Sequence, residues 1–153
     1  MDAGRSGEQR KEPGRRALPG VVTYLLEGRY TVLVGKTDAD NDELSLRVAD
    51  PNDFWFHVRG IPGSHVILRA PDGAEPGRQV LKAAAAVAAY HSKARGGGVV
   101  AVSCTRARYV TKPRGAKPGT VQIRKEIVLK VRPGSGGAVE RVALDPGSGR
   151  APG

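Results

Sequence analysis

The order of apolar and polar positions between Asp53 and Leu68 sets the first expectation. Residues alternate through Asp53-Phe54-Trp55-Phe56-His57-Val58 with the period of a strand. That period puts Phe54, Phe56 and Val58 on one face and Asp53, Trp55 and His57 on the other. The first face reads as core and the second as a surface made to touch something. Gly60-Ile61-Pro62-Gly63 predicts a turn, with a second strand ending near Leu68. A hairpin centred on Ile61 pairs His57 with His65 and Trp55 with Ile67 on one sheet face.

The same reading extends along the chain. Val21 to Leu26 and Tyr30 to Val34 predict two strands around the turn Glu27-Gly28-Arg29. Asp38 to Asp50 predicts a short helix, with polar residues first and Leu44, Leu46 and Val48 after them. Arg78 to Arg95 predicts a long helix, rich in alanine and stopped by Gly96-Gly97-Gly98. Val99 to Cys104 reads as a buried strand, and Lys125 to Val131 alternates as a closing one. The expected fold is α+β: a largely antiparallel sheet packed against one long Ala-rich helix, plus a short helix. Residues 1–20 and 133–153 are rich in Gly, Pro and charge and read as disordered tails flanking a folded unit at 21–132. Within the second tail, Val139, Val142 and Leu144 allow a short edge strand.

Charge changes this picture more than composition does. The net charge of +10 is concentrated between residues 91 and 132, where eleven basic residues face Glu126 alone. Such a footprint suits a polyanion-binding surface, the plainer alternative being a solvated, solubilising charge run. The longest apolar run, Ala83 to Ala89, is far too short for a membrane span. Met1 is followed by charge rather than an apolar signal segment, and the single Cys104 admits no internal disulfide. A cytoplasmic protein with no membrane partner is expected.

The candidate chemistry is that of contact. His57, His65 and Trp55 could form a platform for stacking bases. The competing reading places Trp55 beneath the Ala-rich helix and both histidines among satisfied core groups. Lys112-Pro113-Arg114-Gly115-Ala116-Lys117-Pro118-Gly119 reads as a stiffened basic loop, extended by Arg106 and Arg108 along a strand edge. Along a strand Asp53 and His57 stand roughly 13 Å apart at about 3.3 Å per residue, too far for a carboxylate–imidazole bond. Ser64 and Cys104 lack the surroundings of a nucleophile. The few His and Cys lack zinc-ligand spacing, so no metal and no cofactor are expected.

These pieces resemble the NFACT-R domain, the RNA-binding module of NFACT proteins, which take part in ribosome-associated quality control. The resemblance rests on Val34-Gly35-Lys36 with Asn41-Asp42-Glu43-Leu44, on Asp53-Phe54-Trp55-Phe56-His57, and on Ile61-Pro62-Gly63-Ser64-His65-Val66-Ile67-Leu68. Ala83 to Lys93 and Tyr109 to Gly119 also fit, so that nearly all of residues 21–132 are covered. It implies an RNA contact, with transfer RNA or ribosomal RNA and the ribosome as partners, and it carries no catalytic residues. Larger family members add NFACT-N, helix-hairpin-helix and coiled-coil parts; this chain carries none, which gives the expectation of a stand-alone module without enzymatic activity. In that reading Lys93, Arg106, Arg108, Lys112, Arg114 and Lys117 hold phosphates. His57, His65 and Trp55 meet bases or riboses, and Asn41 and Asp53 orient their neighbours. Two rival readings stand beside it: an RNA- or nucleotide-processing enzyme using His57 and His65, and an adaptor docking an acidic protein.

Overall fold

The computed structural model describes residues 20–71 and 74–134 and the backbone of 139–142. Its elements run β1 (Val21–Leu26), β2 (Tyr30–Gly35), α1 (Asp38–Glu43), β3 (Phe54–Val58), β4 (Val66–Arg69), α2 (Arg78–Tyr90), β5 (Val100–Arg106), β6 (Val110–Thr111), β7 (Gln122–Ile123), β8 (Ile127–Val131) and β9 (Val139–Val142). Seven strands form one sheet in the order β8-β5-β3-β4-β2-β1-β9, antiparallel at every pairing, and β6 and β7 form a separate hairpin. The fold is α+β with an antiparallel sheet, as the strand periods imply. The sheet runs past residue 132 through β9, which pairs with β1 where the apolar pattern allowed an edge strand. The other residues assigned to the two tails, Gly20 and 133–134 apart, lie outside the described residues. None of the described helices is long and apolar enough to cross a membrane.

The period-two alternation divides the interior into two layers. On one face Phe56, Val58, Val66, Leu68, Val102 and Leu129 pack against α2. Ala84, Ala85, Ala88 and Ala89 are wholly buried there, so small side chains bring the helix backbone close to the sheet. On the other face Leu33, Ile67 and Trp55 lie side by side across β2, β4 and β3 and are closed over by Leu44 and Val110. Trp55 is therefore core, but not beneath the alanine helix: it faces away from it.

Two helical expectations need correction. The alanine helix ends at Tyr90, not Arg95, because the next residues bond to the β3–β4 loop instead of continuing the spiral. Ser64 N donates to His91 O, Lys93 N to Pro62 O, and Ser92 Oγ to Ala89 O. The short helix begins with a capping box between Thr37 and Asp40, then widens after Glu43 into a π-helical turn over Leu44–Val48. Asn41 in the helix and Ser45 in the wider turn are both buried.

Asp53 belongs to this framework rather than to a contact surface. Its Oδ2 accepts from Arg69 Nε at 2.9 Å and Nη2 at 2.8 Å and from the Asp50 amide at 2.9 Å. Burial pushes its carboxyl up from the usual value, while the Arg69 bonds and charge hold it back. Arg69 also donates to Val48 O, fastening the end of the π turn to β4. Removing one partner of so buried a pair leaves an uncompensated charge. Arg69→Ala is thus expected to cost about 3–5 kcal/mol in urea denaturation at pH 7. Arg47→Ala, which breaks an exposed pair with Glu43, should cost about 0.5 kcal/mol or less. Equal losses would contradict this assignment.

Candidate functional site

The hairpin register matches the spacing argument: Trp55 pairs with Ile67, and the His57 and His65 rings meet edge to face with centroids 5.4 Å apart. Trp55 stacks against His57 at 6.0 Å and meets His65 edge-on at 5.2 Å. The three aromatic rings form one cluster, but they do not share one exposure. Trp55 and His65 are each only 3% exposed, whereas His57 is half-buried and opens to solvent. The platform expected from three rings therefore reduces to one accessible imidazole resting on a buried indole.

His65 is a tie rather than a contact. Its Nδ1 lies 2.8 Å from Ser45 Oγ, which also accepts from Trp55 Nε1 at 2.9 Å. The indole can only donate, so the hydroxyl oxygen receives its N–H and bonds the imidazole with what remains. Its backbone amide donates to Asn41 Oδ1 at 3.0 Å, and its carbonyl accepts from Gly35 N. A Cβ on Gly35 would run into the Asn41 carboxamide, so glycine is required for this approach. Asn41 thus holds the His65 backbone.

The basic loop spans from β6 to β7, and Asp42 folds it back on α1. Asp42 Oδ2 pairs with Lys112 Nζ at 3.2 Å, and Oδ1 accepts from Gly119 N at 3.0 Å. Lys112 also donates to Lys117 O and Thr120 O. Gly119 has φ +87°, and a side chain there would collide with Asp38. Lys112 is thereby a buckle, engaged internally rather than offered to phosphate. Arg114 and Lys117 remain exposed, with no ion pair among the described residues.

This buckle delivers Gly119, Thr120 and Val121 to the rim of an open cavity of about 300 Å³, whose floor is Trp55, His57 and His65. Ser103, opposite His57 on β5, and Arg59 complete the wall. Ser103 Oγ donates to Glu126 Oε2 at 2.6 Å, and Arg59 lies 3.6 Å from the same oxygen. Arg59, Ser103, Glu126 and Asp42 were not among the sequence candidates; β3–β5 pairing supplies two of them, and no local signal marks it.

Arg106 and Arg108 stand elsewhere. Arg106 covers the Phe54 ring at 4.1 Å, pairs with Glu75 and donates to Asn52 O. Arg108 donates to the Asn52 side chain. Both border a second recess of about 390 Å³ beside Phe54 and Tyr109. Lys93 is exposed at the opposite end of β3, next to Pro62. The cations therefore do not gather at the histidine pair; they flank β3 at both ends, and the basic loop overhangs its middle.

Burial pushes the His65 pKa down to about 4, helped by neighbouring His57, and lowers that of His57 as well. Burial also pushes the Cys104 thiol up to about 12, which removes it as a nucleophile near neutrality. The unfolded chain protonates His65 near its ordinary value of 6.5, while the folded chain resists until about 4. Stability must then fall as pH drops through that window, by roughly 1.4 kcal/mol per unit and on the order of 3 kcal/mol altogether. Urea denaturation at intervals from pH 7 to pH 4 checks this, and His65→Gln should flatten the slope; an unchanged slope would assign it to other groups.

Residues 21–125 match a family described as the NFACT protein RNA binding domain. The Rqc2 homolog RqcH of Bacillus subtilis is 40% identical over 127 residues, covering 83% of this chain and 21% of that protein. RqcH of Streptococcus suis is 42% identical over 107 residues, covering 70% and 19%. The chain thus spans about a fifth of the curated relatives' length. A solved structure of the C-terminal part of a fibronectin/fibrinogen-binding protein from Streptococcus suis superimposes with a TM-score of 0.70. It is 39% identical and covers 82% of this chain and 49% of that one.

Proposed function

This chain belongs to the NFACT RNA-binding domain family, and on that premise we propose that it is a cytoplasmic, non-enzymatic RNA-binding module. Its proposed partners are transfer RNA or ribosomal RNA and the ribosome, in the quality-control setting in which RqcH is named as an Rqc2 homologue. The observation that carries the reading is the Asp42 buckle. It holds a loop with exposed Arg114 and Lys117 over a cleft whose accessible aromatic group is His57. A preset loop loses less entropy on gripping a phosphate backbone than a mobile one does.

In this arrangement Lys93 and Arg108 hold phosphates at the two ends of β3, with Arg114 and Lys117 over its centre. Lys112 contributes by position and Arg106 by bracing Phe54. Trp55, His65, Asn41 and Asp53 shape the site from beneath. Binding rather than catalysis suits a His65 committed to structural hydrogen bonds and a buried Cys104.

Four phosphate contacts on a single strand give a log–log salt slope near −2.8, at about −0.7 per contact. Titration of a single-stranded RNA across salt concentrations should return that value. Arg114→Ala combined with Lys117→Ala should halve it to about −1.4. A slope that does not respond to salt, or is untouched in the double variant, would remove the proposal.

A further inference from the structure

The cleft beside His57 has a chemistry of its own, distinct from that of the exposed cations. Its floor is a flat imidazole supported by Trp55, and Val121 and Ile123 add apolar wall. At about 300 Å³ it sits at the small end of ligand cavities, roughly 300–1,000 Å³, and has room for one small ring system. The charged groups beside it are Arg59, which lines the wall, and the carboxylate of Glu126, bonded to the lining Ser103. Glu126 has a side chain 31% exposed, its Oε2 shared between Ser103 and Arg59. With Arg59 offsetting its charge, the carboxylate offers an acceptor to an N–H donor rather than a field that sorts anions.

We infer that this cleft takes one unpaired nucleobase, its ring stacked on His57 and an exocyclic amino group directed to Glu126. Flat heteroaromatic rings stack on aromatic side chains irrespective of sequence. A carboxylate adds a preference, because it accepts from the amino group of cytosine and finds no such donor on uracil. Arg59 orients the carboxylate, and Ser103 fixes which oxygen remains open. Phosphates then rest on the cations flanking β3 while one base turns inward. The inference rests on the RNA-binding reading and assigns the part of the ligand that enters the cleft.

The test uses the full chain and fluorescence anisotropy on labelled twelve-nucleotide RNA strands of equal charge. One strand is abasic throughout, a second carries a single central cytosine, a third a single central uracil, and a fourth is oligocytidine. A stacked base is worth about 1–3 kcal/mol, so the single cytosine should bind roughly five- to 150-fold tighter than the abasic strand. Uracil should fall between them. His57→Ala should abolish the gain from cytosine while leaving the abasic strand's affinity unchanged. Glu126→Gln, which keeps shape, should shrink the cytosine-over-uracil difference while leaving the stacking gain. Equal affinity for the abasic and single-cytosine strands, with salt-dependent binding to both, would overturn the base cleft and leave phosphate binding intact. Failure to bind even oligocytidine would overturn the RNA reading and this inference with it.

Discussion

The hydroxyl of Ser45 is the group on which the arrangement of this face depends. It accepts from Trp55 and is hydrogen-bonded to His65 Nδ1, so one oxygen holds both the indole and the imidazole in place. Both rings are buried, and a buried polar group without its partner costs about 1–3 kcal/mol. The three groups therefore stand or fall together. His57 inherits its position from them: it lies on Trp55 and against His65, and it alone of the cluster opens to solvent. The π-helical turn is what brings Ser45 to that point, and Arg69 clamps its end through Val48 and Asp53.

Helix α1 acts on the other side in the same manner. Its acidic residues look like a solvated surface, yet Asp40 closes the capping box and Asp42 anchors the basic loop at two atoms. The acidic and basic segments of the chain are thus complementary within the fold. Part of the positive charge is spent internally, on Lys112 and Arg106, and what is left for a partner is a smaller and better positioned set.

The sheet and hairpin were legible because alternation and turn residues are local signals. The register of Trp55 with Ile67 and the division into two faces follow from period two alone. What alternation does not tell is which layer covers each face, so the pattern left Trp55 open between core and contact surface. The end of α2 depends on Ser64 and Pro62 reaching across from another loop, a contact thirty residues away in sequence that glycine and propensity do not report. The site was legible in part: His57, the basic loop and Asn41 are where the motifs pointed. His65 looked like a contact residue because polar groups in a strand suggest a surface, but it is paired inside, and Asp53 is buried with Arg69. Arg59, Ser103 and Glu126 come together through β3, β5 and the approach to β8, which no motif links.

Strand β8 forms one border of the sheet, and among the described residues nothing pairs with its outer side. Its apolar Ile127 and Val128 are substantially exposed there. Such a border invites a second molecule to add a strand, the route to edge-to-edge aggregation. Lys125, Lys130 and Arg132 punctuate it. Two copies approaching along this border would bring like charges together, so the cations that enrich the C-terminal third also act as a guard on solubility, one that weakens as salt rises.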